Sequence, residues 1–299
     1  MNLTRVLQPY VCCLGNPVAG NPTQFVMYRA ARACGVDWRF FTSQVEVDQF
    51  EIAFRGVQAL GLSGVALFDP FQSEAMSLLD SVTESAMCLG GANVARLDGS
   101  SWLGDNTLGT GIINCIESLL EASGIAISPE SADQASDRQS TILVVGDTKI
   151  ANAMRLARPK LAHRIVVVRE GIGGQPTQSE KEGRNPNEVE DSLGFASLDE
   201  FSQRGSRVDC LILACVPNAT LSRQIAGLSW SKSANSLVLA SATEKQLRLW
   251  RDSVKGHNVN HVDPVEWMAH QAAVDFHFWT GVYPAIDLIR DSLEEYMQW

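Results

Sequence analysis

Short apolar runs that alternate with helical stretches constrain this chain more than any other feature. Residues 10–15 (YVCCLG) form an unbroken apolar run that stops at Gly15-Asn16-Pro17. A helical stretch over residues 22–34 follows, with Gly35 placed to end it. Trp38, Arg39, Phe40 and Phe41 read as the next strand, and residues 46–60 as a helix with Phe50, Ile52, Ala53 and Val57 apolar. Residues 64–68 form a further strand, closed by Asp69-Pro70. Another helix follows, then the run from Gly90 to Ala95. Strands alternating with helices predict βαβ units and a mostly parallel sheet. Residues 130–140 (ESADQASDRQS) are polar and mark a boundary. Beyond it the pattern restarts with a strand over 141–146, a helix over 150–161 and a strand over 164–169. Residues 209–214 and 236–240 supply further buried strands. The polar, Gly-rich segment 171–194 lacks apolar periodicity and reads as a mobile insertion in a binding-side loop. Residues 264–297 predict two helices broken near Gly281 and Pro284.

Composition narrows the function classes. A chain of 299 residues suggests two domains, at roughly 100–200 residues each. With 45% hydrophobic and 19% charged residues it has the material for packed cores, which excludes disorder as the dominant state. The net charge of −10 argues against a nucleic-acid partner, because phosphate backbones need clustered Lys and Arg. No apolar run reaches the roughly 18–20 residues of a membrane span, and the N-terminus lacks the long apolar core of a signal peptide. The seven cysteines are odd in number and scattered, so reduced thiols and a cytoplasmic setting are expected.

The turn after the strand at 141–146 is where a dinucleotide fold places its phosphate loop. Such a loop carries three glycines, so that backbone amides and a helix N-terminus reach the pyrophosphate. Here the turn runs Gly146-Asp147-Thr148-Lys149-Ile150-Ala151 and keeps only the first glycine. Thr148 and Lys149 crowd the backbone approach, Asp147 repels phosphate, and Lys149 offsets part of this by pairing a phosphate directly. Arg169, at the end of the next strand, stands where an Arg meets a ribose 2′-phosphate, or is a solvated surface residue. A nucleotide-binding domain and a doubly wound domain without nucleotide both remain open on these residues. His257, His261, His270 and His277 have no Cys or carboxylate partners at zinc-like spacing, so no metal is expected. Cys12-Cys13 is not a C-x-x-C pair, and Phe276, Phe278 and Trp279 read as core positions of a helix.

Three segments taken together resemble the shikimate dehydrogenase family: Gly15-Asn16-Pro17-Val18-Ala19, Gly104-Asp105-Asn106-Thr107 and Gln271-Ala272-Ala273. Trp279-Thr280-Gly281-Val282-Tyr283-Pro284 resembles that family's W-x-G-x-x-P segment, and the order and spacing match over nearly the whole chain. The resemblance implies an α/β substrate-binding domain from residues 1–120 and 262–299. It implies a Rossmann-type doubly wound NADP domain over 121–261, with the C-terminal helices returning to the first domain. It also implies a small-molecule ligand in the cleft between domains, NADP as cofactor, and a monomer or homodimer.

The departures from the family pattern bear directly on function. The family has a Lys after an N-V-T-x-P-x stretch, paired with an Asp just after G-x-N-T. Gln72 and Leu108 stand at those two positions. Neither accepts the proton of an alcohol or stabilises an alkoxide, and loss of a general acid–base commonly costs about 10²–10⁴-fold. Asn21 and Thr23 replace the family's two carboxylate-binding serines, and Phe68 replaces a Thr hydroxyl. Asn93 and Gln271 match the family's contacts to the substrate. Ala214-Cys215-Val216-Pro217-Asn218 replaces the family's turn near the nicotinamide. Three readings follow. One is a shikimate-dehydrogenase-like protein with impaired or altered oxidation that acts mainly as a small-molecule binder. A second is an active NAD(P)-dependent oxidoreductase on another cyclic hydroxy acid, with Asp69 or Asp105 as a rearranged base. A third is a protein-interaction module that uses the segment 171–194.

Overall fold

The computed structural model describes residues 8–124, 141–168, 194–195, 197–215, 218–239, 244–257 and 259–297. The polar stretch 130–140, Arg169, the segment 171–193 and residues 216–217 lie outside them, as do the expectations attached to those residues. The chain divides into two compact units, Met1–Cys115 with Val265–Trp299, and Ile116–Pro264.

The first unit is built on strands β1 (Tyr10–Gly15), β2 (Arg39–Gln44), β3 (Gly64–Leu67), β4 (Ser81–Val82), β5 (Val94–Asp98) and β6 (Ser101–Asp105), in the order β2-β1-β3-β5-β6-β4. Helices α1 (Thr23–Cys34), α2 (Phe50–Ala59), α3 (Gln72–Ala75), α4 (Glu84–Leu89), α5 (Leu108–Ala122), α10 (Pro264–Thr280) and α11 (Ile286–Met297) accompany them. Strand β3 is buried at every position and β1 at all but its first, because layers cover both faces of the sheet. One layer includes Val26, Ala30, Phe276 and Trp279, and the other includes Phe50, Phe54, Phe71 and Trp102.

This sheet is mixed, with three of its five pairings parallel, so the expectation of a mostly parallel sheet holds except around β5. Strand β5 runs antiparallel to both β3 and β6. The cause is a hairpin at Asp98-Gly99, where Gly99 adopts φ +64° in the tight connection to β6. Asp-Gly is a strong hairpin signal, so the residues that reverse the chain between β5 and β6 are themselves plain in the sequence. A second difference is at residues 46–60, where a 3-10 turn over Val47–Gln49 precedes α2.

The second unit carries strands β7 (Ile142–Val145), β8 (Ile165–Val168), β9 (Gly194–Phe195), β10 (Val208–Leu213), β11 (Trp230–Val238) and β12 (Asn260–His261). Its described helices are α6 (Thr148–Ala157), α7 (Leu198–Gln203), α8 (Ala219–Ala226) and α9 (Glu244–Val254). The strand order is β12-β11-β10-β7-β8-β9 and every pairing is parallel. Read from the other edge this is the third, second, first, fourth, fifth and sixth strand, the order of a dinucleotide-binding doubly wound sheet. Strands β7, β8 and β10 are buried throughout, as strands covered on both faces must be. Strand β11 begins at Trp230, earlier than its apolar run, and its pairing with β10 shifts register between Trp230 and Asn235.

The C-terminal helices belong to the first unit by specific contacts. Trp279 Nε1 donates to the Ala95 carbonyl of β5 at 3.0 Å. Gly64 makes room for this ring, since a Cβ there would lie 2.5 Å from Trp279 Cδ1. Arg96 donates to the Phe278 carbonyl at 2.9 Å and lies over the Phe278 ring. Helix α10 stops at Gly281, which takes φ +73° and whose N–H reaches the His277 carbonyl.

Candidate functional site

Three loops converge at one edge of the first sheet, where β1, β3 and β6 end and β5 begins. Ala92 N–H donates to the Gln72 carbonyl at 2.9 Å, Asn93 N–H to the Asp105 carbonyl at 3.0 Å, and Leu67 N–H to the Asn93 carbonyl at 2.8 Å. Asn106 Nδ2 donates to the Gly91 carbonyl at 2.7 Å, and its Oδ1 accepts from Leu108 N–H at 3.2 Å. Residues 67–72, 91–93 and 105–108 are therefore one hydrogen-bonded framework. Gln72 opens α3 and Leu108 opens α5, so both positions singled out in the sequence sit on it. In an open α/β sheet, the edge where parallel strands end is where ligands bind.

Phe68 follows β3 and packs partly into the core layer of α1 and α10. It also stands against the end of β1, since a Cβ on Gly15 would lie 3.0 Å from Phe68 Cβ. Asn16 N–H donates to the Asp69 carbonyl at 3.0 Å, which ties the loop after β1 to the loop after β3. Both loops carry a cis X-Pro bond, Asn16-Pro17 and Asp69-Pro70. Asn21 Oδ1 accepts from Thr23 N–H at 2.9 Å at the start of α1, so this amide oxygen is spent on the chain's own backbone.

Asn93 is almost fully buried, and Thr107 is 1% exposed. Asn93 Oδ1 accepts from Thr107 N–H at 2.9 Å, and Asn93 Nδ2 donates to Thr107 Oγ1 at 2.8 Å. The Thr107 hydroxyl in turn donates to Asp275 Oδ1 at 2.5 Å, and Asn93 Nδ2 lies 3.5 Å from the same oxygen. Burial of its carboxyl group pushes the Asp275 pKa up to about 7, and the charge of Asp105 adds to this. The donors Thr107 and Asn93 pull the other way and lose. Gln271 lies one helical turn before Asp275 on α10, pressed against α5. A Cβ on Gly111 would meet Gln271 Cα at 2.7 Å.

Asp275 was not singled out by the sequence reading. Its signal is a lone acid among Ala272, Ala273, Val274 and Phe276, four residues after Gln271. The two proposed rearranged bases fare differently. Asp69 is exposed in its turn. Asp105 Oδ1 accepts from the Thr83 hydroxyl and from Asn106 N–H, which ties it into the framework.

In the second unit Gly146 ends β7 with φ +114°. A Cβ there would lie 3.1 Å from the Ala214 carbonyl carbon, so the glycine serves the close approach of β7 to the end of β10. Asp147 caps α6, its carboxylate accepting Lys149 N–H at 2.8 Å. A pyrophosphate needs the free amides and positive end of that helix, and here a carboxylate already holds one of those amides. Thr148 is half-buried, and Lys149 and Asp147 are exposed. These residues do not fit the way a glycine-rich turn holds a dinucleotide. Among the described residues no three His, Cys, Asp or Glu side chains gather into a metal-binding group. His270 is buried beside Glu266 and burial lowers its pKa, while His277 stacks on Tyr283. No described helix is long and apolar enough to cross a membrane.

Residues 13–95 match the family model of the shikimate dehydrogenase substrate-binding domain. The NADP-dependent shikimate dehydrogenase of Bacillus subtilis is 25% identical over 282 residues, covering 93% of each chain. Nearly the whole chain is thus similar, at low identity, to NADP-dependent shikimate dehydrogenases, and its first part to their substrate-binding domain. The corresponding enzyme of Pyrococcus abyssi is also 25% identical, covering 93% of this chain and 94% of its own. In three dimensions, the shikimate 5-dehydrogenase of Thermus thermophilus in complex with NADP(H) and shikimate superposes with a TM-score of 0.68. That likeness covers 97% of this chain and all of the other at 17% identity.

Proposed function

We propose that this family member binds a small hydroxylated ligand on its first unit and oxidises shikimate poorly or not at all. One observation carries the reading. The framework that holds Asn93 and Thr107 is intact, while the two positions the family gives to a proton-transferring Lys and Asp hold Gln72 and Leu108 on that same framework. A neutral amide and an alkyl chain exchange no proton near neutral pH. The Asp147 cap weakens the case for a bound dinucleotide in the second unit. NADP is therefore a cofactor inherited by family resemblance, supported here by strand order and not by the turn.

The test combines calorimetric titration of NADP, NAD and shikimate, singly and together, with an initial-rate assay at saturating concentrations. Weak or absent nucleotide binding and turnover depressed by at least about 10²-fold relative to family enzymes are expected. Rapid NADP-dependent oxidation of shikimate overturns the reading.

A further inference from the structure

Asp275 occupies none of the positions that the family resemblance assigns, yet it is joined directly to Asn93, which does. It lies four residues after Gln271 on α10, and so on the same helix face. The hydrogen bonds among the three residues run in one direction. The Thr107 hydroxyl accepts from Asn93 Nδ2 at 2.8 Å and gives its single proton to Asp275 Oδ1 at 2.5 Å. Both bonds that reach Asp275 fall on Oδ1. Oδ2 accepts no hydrogen bond from the described residues, and Asp275 keeps accessible surface. One oxygen is anchored and the other is offered.

The groups that face this carboxyl are Asp105 at the end of β6, the Cys13 thiol on β1, and the neutral donors Thr107 and Asn93. Asp105 is held by the Thr83 hydroxyl and a backbone N–H, which are neutral as well. An incoming ligand thus meets two acids whose hydrogen-bond partners carry no positive charge. A ligand hydroxyl donates to such an oxygen, and a ligand carboxylate is repelled by it.

We propose that Asp275 determines specificity at this sheet edge, its open Oδ2 accepting a ligand hydroxyl and selecting an uncharged polyhydroxylated molecule over one that bears a carboxylate. The inference rests on the reading that this edge is the ligand site. Because the carboxyl titrates near neutrality, the selection strengthens as pH rises and the charge appears.

Shikimate and its methyl ester test this, since they share a ring and hydroxyls and differ in charge. Affinities of both are measured by calorimetry on the full chain at pH 5.5 and 8.5, for wild type, Asp275→Asn and Asp275→Ala. The ester is expected to bind wild type about tenfold more tightly than the acid at pH 8.5, which corresponds to about 1.4 kcal/mol. At pH 5.5 the preference shrinks, and both variants lose its pH dependence. Equal binding of the two probes at pH 8.5, or a preference unchanged in both variants, overturns the inference and leaves the ligand site standing. Binding of neither probe to any form overturns the ligand-site reading and the inference with it.

Discussion

Replacing Asp275 with asparagine should stabilise the protein, and only where the wild-type carboxyl is ionised. Asparagine keeps an oxygen for the Thr107 and Asn93 donors and carries no charge. The Asp275 pKa rises from 3.8 to about 7 on folding, chiefly because burial disfavours the anion. At 1.36 kcal/mol per pH unit, three units correspond to about 4 kcal/mol. Partial exposure lets solvent relieve the charge, so about 2 kcal/mol is the expected gain. The folded chain holds the proton more tightly than the unfolded one. The stabilising contribution of the proton is therefore full below about pH 4 and is lost as pH climbs through 7. The difference between variant and wild type should be near zero at pH 4, grow between pH 4 and 7, and level off above that. At about 2–4 °C per kcal/mol for a domain of 150–250 residues, the plateau is about 4–8 °C in melting temperature. Differential scanning calorimetry of both proteins in matched buffers from pH 4 to 8.5 measures it, and the other titrating groups cancel in the difference. A pH-independent difference, or a variant less stable than wild type at pH 8, refutes the argument that this acid is buried against its charge.

Three further outcomes follow from the same geometry. Asp147→Asn keeps the cap on α6 and removes its charge, so NADP affinity measured by calorimetry should rise several-fold, with melting temperature nearly unchanged. Gly111→Ala puts a Cβ 2.7 Å from the Gln271 backbone, and urea unfolding should show a loss of about 1–3 kcal/mol as α5 and α10 are forced apart. Cys12, Cys13 and Cys115 have pKa values pushed up to about 12 by burial, so mass spectrometry after iodoacetamide treatment of the native protein at pH 8 should find them unmodified.

The doubly wound unit was legible because three of its strands, β7, β8 and β10, are nearly continuous apolar runs, and such runs arise when both faces are covered. The first sheet was less legible where its covering changes. Strand β6 alternates in burial and β5 grades from buried to exposed, and Arg96 and Asp98 end the apolar run before β5 does. The hairpin signal at Asp98-Gly99 is two residues long and easily lost in such a segment. The candidate site shows the same limit in another form. Asn93, Gln72 and Leu108 were found because each belongs to a short pattern along the chain. Asp275 was missed because its meaning depends on Thr107, 168 positions away in the sequence. A lone acid in an apolar helix is visible in the sequence, but its partner is set by how α10 docks.

That docking links the altered site to the fold. Asp275 reaches Thr107 only because Gly111 lets α10 approach α5 at Gln271 and because Trp279 fixes the helix to β5. Asp275 lies on the same framework edge as the neutral residues Gln72 and Leu108. The acid at 275 faces the neutral donors Thr107 and Asn93, the Cys13 thiol and Asp105. This edge therefore carries a carboxylate of its own. Its carboxylate sits on a different element, held from behind by Thr107 and with one oxygen left open, an arrangement that suits binding a hydroxyl better than passing a proton between paired ions.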